Sequence, residues 1–354
     1  MLKIVDFIRS NSDWEKKLTS EPYALKIKWD GDYVLLMYNQ LISDFRQEIV
    51  RECRGIILDS SENYKPVCVP LFKFANYGES YAEEIDWQTA TIWDKIDGSL
   101  IKLWYHKGKW NVSTNGMIDA GKAHMSEGGG SYLDLFNEAT INSDLDWNKL
   151  NPDNTYMFEL VSPKRPVVIP YKTTSIYHIA TRDTKTLKEL DEDVGIQKPD
   201  RFSLQSLEDC LQAVKQLDTY KEGYVVVDAN YRRIKIKSPL YVALHHIVGG
   251  VVITDRRALE LIQSGEDQEV LTYFKEYTDV FKSVREKLGV LITTVEQELA
   301  EVQSTTHVNR KELANIVIGK TCPGCIFAMI DGKVTSVREY LMRMKTDNLE
   351  KLLI

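Results

Sequence analysis

The hydrophobic pattern of this chain changes period once, near residue 255, and that change limits it to folds in which a sheet-rich part precedes a helical one. Ala24 to Tyr38 reads ALKIKWDGDYVLLMY, two β-rich runs around Asp30-Gly31, a dipeptide that favours a tight hairpin turn. LIKLWY and KWNVS flank Lys107-Gly108 and predict a second hairpin. Further strands are predicted at Arg54 to Leu58, Thr155 to Val161, Ile176 to Ala180, Gly223 to Val227 and Arg233 to Ile236. Ser238-Pro239 then supplies an N-cap and a first-turn proline for a helix through LYVALHH. Beyond it, Tyr277, Val280, Phe281, Val284, Leu288, Leu291, Val295, Leu299 and Val302 recur at three- and four-residue steps, the spacing of a helix packing one face. The expected class is α+β, an antiparallel-sheet domain over 1–251 followed by an all-helical domain over 252–354.

A chain of 354 residues with 43% apolar and 27% charged content can bury two cores and is not a disordered polymer. Lys3, Asp6 and Arg9 interrupt the start, so it lacks the apolar stretch of a signal peptide. Leu240 to Ile253 carries His245, His246 and two glycines and is too short to span a bilayer. A cytoplasmic protein, in the host cytoplasm if viral, without membrane contact and monomeric, is expected. Cys53, Cys68, Cys210, Cys322 and Cys325 are too scattered for a disulfide framework. Cys322-Pro-Gly-Cys325 has metal-like spacing, but a four-ligand zinc site needs a further pair and the nearest extra candidate is His307; two thiols in a turn are expected. The net charge of −7 argues against a protein that coats nucleic acid. A local basic groove remains available from Lys164-Arg165 with Lys172, and from Arg232-Arg233 with Lys235 and Lys237.

The segment that points to chemistry is Thr91-Ile-Trp-Asp-Lys95-Ile-Asp-Gly-Ser99, a lysine between a short strand and a hairpin. A Lys-x-Asp-Gly-Ser string arises by chance on the order of once in a couple of hundred chains of this length. Arg54-Gly-Ile-Ile-Leu precedes it; Phe158-Glu159-Leu-Val, Glu222-Gly-Tyr-Val-Val-Val and Lys235-Ile-Lys237-Ser follow in order. A lysine that attacks phosphorus must lose its proton, and the charge developing on phosphoryl oxygens calls for fixed cations. Lys95 fits the first role; Lys235 and Lys237 fit the second, given a break or twist in strand alternation that lets both reach the site. By contrast, Ser126-Glu-Gly-Gly-Gly-Ser131 lacks the Gly-Lys-Ser/Thr of a phosphate loop and is expected to be flexible.

This series resembles the motifs of covalent nucleotidyltransferases, the DNA ligases, RNA ligases and capping enzymes. Tyr38-Asn39, Glu52-Cys-Arg54-Gly-Ile, Lys73-Phe-Ala-Asn76 and Lys235-Ile-Lys-Ser238 are most similar to the RNA ligase 1 family of T-even bacteriophages. The resemblance runs from about Tyr33 to Tyr241, and implies an ATP-grasp-like ligase domain before a helical tail. It implies ATP as co-substrate and Mg2+ or Mn2+ as cofactor. It implies joining of RNA 5′-phosphate and 3′-hydroxyl ends through lysyl-AMP, with RNA repair, including cleaved tRNA, as the task.

Carried over residue by residue, Lys95 is the nucleophile, and Tyr38, Arg54, Lys73, Gly98, Glu159, Lys235 and Lys237 contact ATP. Glu159 is expected on a ribose hydroxyl and Glu222 on metal-bound water; Asp97 orients the loop, and Tyr241 matches a family tyrosine. The sequence departs from the pattern at Asn115, where the family has a basic residue. It is also ambiguous at Glu266-Asp-Gln-Glu269, from which Asp267 and Glu269 are the candidate metal ligands. DNA ligases and capping enzymes usually carry an OB-fold after the last motif, where this chain reads as helix. A catalytically inactive RNA-binding module is the reading from another class. The helical domain is expected to select the RNA substrate.

Overall fold

The computed structural model describes residues 2–124, 130–141, 143–218, 220–246, 253–305 and 309–353. The strands are β1 Lys26–Asp30, β2 Tyr33–Met37, β3 Arg54–Asp59, β4 Lys65–Cys68, β5 Ala75–Asn76, β6 Thr91–Asp94 and β7 Ser99–His106. There follow β8 Lys109–Thr114, β9 Asn154–Val161, β10 Ser175–Asp183, β11 Glu189–Leu190, β12 Arg201–Phe202, β13 Gly223–Val227 and β14 Arg233–Lys237. They form three sheets, β1-β2-β3-β4, β11-β10-β9-β7-β8 and β12-β6-β13-β14-β5. Among the described residues every strand pairing is antiparallel except β14 with β5. After β14 the described chain is helical, beginning with Pro239–His246. This is a mixed α+β fold. The expected boundary at residues 251 and 252 lies outside the described residues.

Strand alternation explains how the sheets stack. Val34, Leu36, Ile56 and Leu58 join a core with Ile4, Val5 and Ile8 of the N-terminal helix Lys3–Ser10, while Leu35 and Ile57 pack with Trp104 of the second sheet. The same period, applied to the other sheets, separates core from chemistry. Phe158 and Leu160 are buried under the helix Tyr132–Ile141, which leaves Glu159 on the opposite face. Ile234 and Ile236 are buried with Tyr224 and Val226, which leaves Lys235 and Lys237 together on the other face. Residues two apart on a strand share a face, so both lysines reach one site through ordinary alternation, without the break that the sequence reading called for.

The stripe from Phe281 to Val302 lies on the helix Thr278–Ser304 and is buried against Leu259, Leu313, Ile326 and Leu341. Cys322 caps the helix Pro323–Ile330 and Cys325 lies in its first turn, both buried, where a turn was expected. His307 and residues 126–129 lie outside the described residues; Ser131 caps the helix Tyr132–Ile141, its Oγ accepting from the Asp134 N–H at 3.2 Å. Among the described residues no helix is long and apolar enough to cross a membrane.

Candidate active site

Lys95 follows the last residue of β6, and its backbone N–H donates to the Gly223 carbonyl at 2.9 Å, continuing the β6–β13 pairing by one step. That bond brings the lysine beside Glu222. Its Nζ lies 2.6 Å from Glu222 Oε2, and Glu222 is only 3% exposed. Gly223 is required there, since it has φ +142° and a Cβ would lie 2.2 Å from the Ile236 carbonyl oxygen. Gly98 is needed for a related reason: a methyl group would meet the Leu160 carbonyl oxygen at 2.5 Å. Close approach to β9, rather than to a nucleotide, is the constraint on Gly98 that the structure displays.

Asp97 fixes the loop. It is buried, with Oδ2 accepting from the Val168 and Ile169 N–H groups at 2.9 and 2.7 Å and Oδ1 accepting from the Tyr241 hydroxyl at 2.9 Å. The Asp97 N–H donates to the Tyr171 hydroxyl at 3.3 Å. Tyr241 therefore acts on Asp97, and its ring also lies 5.6 Å below the Lys237 ammonium. Burial is the main cause that pushes the Tyr241 phenol above its ordinary range.

Lys237 joins the cluster through two carboxylates, Glu222 Oε1 at 3.4 Å and Glu269 Oε1 at 2.7 Å. Its N–H donates to the Tyr273 hydroxyl at 2.7 Å. Glu269 and Tyr273 are four residues apart on the helix Asp267–Tyr273 and so share a face, whereas Asp267 points elsewhere and pairs with Arg285. Helical register thus settles the ambiguous acidic run. Glu269 is brought to the site and Asp267 is not.

A second group of cations lies alongside. Lys73 Nζ sits 5.3 Å from the Tyr38 ring centroid and 5.1 Å from that of Phe45; Arg54 and Lys235 both lie over Phe74, at 5.4 and 4.8 Å. None of Arg54, Lys73 and Lys235 has a carboxylate within ion-pair distance among the described residues, and Arg54 Nη1 is buried without a hydrogen-bond partner. Burial, and then repulsion from Lys73, Arg54, Lys95 and Lys237, push the Lys235 amine well below its ordinary pKa. Such a cluster is short of negative charge, the requirement that a triphosphate meets. Glu159, in contrast, is pushed up to about 7, chiefly by burial, with Lys95 and Arg54 opposing the rise. At neutral pH its carboxyl can donate as well as accept, which suits a ribose hydroxyl.

Glu222 and Glu269 supply hard oxygen donors of the kind Mg2+ and Mn2+ take. They do not close a tight cage: the one compact trio of ligand atoms among the described residues is Asp59, Glu62 and His106 at the far ends of β3 and β7. A cation bound at Glu222 or Glu269 would complete its shell with water and phosphate oxygens, as small divalent ions do.

Asn115 lies by Gly55, the neighbour of Arg54, and a Cβ added to Gly55 would stand 3.1 Å from Asn115 Oδ1 and 2.8 Å from Lys102 Nζ. Lys102, unnoticed in the sequence, is fully buried, donates to the Gly55 carbonyl and is pushed down to about 8 by burial. Tyr171 and Tyr273 were also missed. Only Tyr273 had a signal, its four-residue spacing from Glu269.

No protein-family model matches the chain. It is 28% identical over 284 residues to a protein of Autographa californica nuclear polyhedrosis virus named as a bifunctional polynucleotide kinase/RNA ligase, covering 74% of this chain but 40% of that one. The chain therefore spans less than half the length of that relative. It is 23% identical over 397 residues to the RNA ligase of Rhodothermus phage RM378, covering 91% of this chain and 90% of the phage protein. An archaeal ATP-dependent RNA ligase of known structure is 12% identical, with a TM-score of 0.47 and coverage of 89% of this chain and 88% of that one.

Proposed function

We propose that this chain is an ATP-dependent RNA ligase, of the kind represented by the T-even phage RNA ligase 1 family, that works through Lys95. The observation that carries the reading is the convergence on one site of Lys95, Glu222, Lys237 and the anion-short trio Arg54, Lys73 and Lys235. RNA ligases among its relatives support the choice of substrate. Glu222 is the nearest acceptor for the Lys95 proton. Nζ then attacks the α-phosphorus of ATP; the P–N bond forms, the bond to the β-phosphate oxygen breaks, and pyrophosphate leaves. An oxygen of the RNA 5′-phosphate displaces Lys95 from phosphorus, giving RNA-adenylate and returning the lysine. The RNA 3′-hydroxyl attacks the 5′-phosphate, forming the phosphodiester and expelling AMP. Arg54, Lys73 and Lys235 hold the triphosphate, and Glu159 meets the ribose. Mg2+ or Mn2+, when bound, neutralises phosphate charge.

The division we propose is a nucleotidyltransferase domain over 1–251 and a helical domain over 252–354 that selects RNA, with repair of cleaved RNA, tRNA included, as the task. Glu269 and Tyr273 give the helical part a second duty, holding Lys237 in place. The test is sealing of 5′-phosphorylated single-stranded RNA compared with nicked duplex RNA and nicked DNA. Preferential sealing of single-stranded RNA ends supports the reading; sealing of nicked DNA alone overturns it.

A further inference from the structure

A second cleft, of about 530 Å³, shares Lys73 and Phe74 with the site of Lys95. Its walls carry Arg51, Arg182, Lys188 and Arg233, and Tyr231 also lines it. The charges within it are unevenly matched. Arg182 and Arg233 are both tied to Glu189, but Arg51 donates to the Phe45 and Arg46 carbonyls, and neither it, Lys73 nor Lys188 has a carboxylate within ion-pair distance among the described residues. Four acidic residues line it: Glu189 holds Arg182 and Arg233, Glu48 pairs with Lys3, Glu52 accepts from the Lys3 and Ile4 N–H groups and is held above its usual range by burial, and Glu83 shares the wall with them.

Tyr231 is unusual in two respects. It adopts φ +60° in the turn between β13 and β14, a left-handed conformation that bulky residues avoid and Asn or Gly accepts. It is also 47% exposed, with its ring 6.0 Å from the Arg233 guanidinium. Folding alone would favour a small residue in that turn. An exposed aromatic beside a cationic cleft is the arrangement that stacks a base while cations hold its phosphate. Arg233 lies four residues from Lys237 along β14, roughly 13 Å at strand rise, so the cleft lies off the reacting centre but within reach of one strand.

We infer that this cleft holds the RNA strand leading to the reacting end, with phosphates on Lys188 and Arg51 and a base on Tyr231. The inference rests on the RNA-ligase reading and deepens it. The test uses the full chain, its Tyr231→Asn and Lys188→Gln variants, ATP, and a 5′-phosphorylated single-stranded oligoribonucleotide. Both variants should form lysyl-AMP at the native rate. Tyr231→Asn should raise the KM for RNA about tenfold, the scale of one lost base stack, with a melting temperature equal to or above the native value. Lys188→Gln should raise it less and flatten its dependence on salt. Unchanged RNA KM in both variants overturns the inference, and so does a raised ATP KM with unchanged RNA KM, which would assign the cleft to the nucleotide. Oligoribonucleotide binding followed by fluorescence anisotropy separates the two readings: a native chain that makes no lysyl-AMP refutes the ligase, while equal affinity of native and variant chains refutes the cleft.

Discussion

Glu222 touches two lysines, and its conversion to Gln tests whether they form one network. Lys95, Glu222, Lys237 and Glu269 alternate in sign, with successive contacts of 2.6, 3.4 and 2.7 Å. Removing one partner of a buried pair costs about 3–5 kcal/mol. The low end applies to Glu222→Gln, because Lys237 keeps Glu269 and the Lys95 side chain, 19% exposed, can turn to water. Lys237→Met should cost a similar amount. The Glu222–Lys237 contact is lost in either variant, so the double variant should cost less than the sum of the singles by about 1–2 kcal/mol. Urea unfolding measures these values, and single-turnover formation of lysyl-AMP measures the chemistry, which should fall on the order of a hundredfold or more in each single variant and not recover in the double. Additive stability losses, or near-native adenylylation in Glu222→Gln, would refute the network.

Glu159 makes stability depend on pH. Its carboxyl is raised from 4.5 to about 7 in the fold, so the proton is held more tightly in the folded state, and the stabilisation present below pH 4.5 is lost as the pH rises through 7. The shift corresponds to about 3 kcal/mol; Glu159→Gln should gain on the native chain by up to that amount as the pH rises, and parallel stability curves would contradict it. Tyr241→Phe removes the donor to Asp97 Oδ1 and should cost about 1–3 kcal/mol, with slower lysyl-AMP formation because the Lys95 loop loses a tether. Thermal melting with the same labelling assay checks this, and full stability at full rate would refute it.

Much of the candidate site was legible because its residues lie within short motifs. Lys95, Asp97, Glu159, Glu222, Lys235 and Lys237 stand close to strands whose turn residues and β-rich composition could be read directly. The parts that were not legible depend on packing between distant segments. Glu269 was separable from Asp267 only once the helix start was known, and Lys102 reads as an ordinary strand lysine until Gly55 and Asn115 close over it. The helix Lys3–Ser10 is only eight residues long, too short for its buried Ile4, Val5 and Ile8 to establish a helical period in the sequence. Asn115, flagged as a lost charge, stands next to that buried lysine, a proximity that strand pairing of Lys102 with Ser113 creates and sequence order conceals.

The central claim is that Lys95 carries AMP. Incubation of the full chain with α-labelled ATP and Mg2+ or Mn2+, followed by peptide mapping, tests it directly. The account predicts one acid-labile phosphoramidate on Lys95, absent from Lys95→Ala, with that variant still sealing RNA supplied with a pre-adenylylated 5′ end. A label on another residue, or substantial lysyl-AMP in Lys95→Ala, contradicts it.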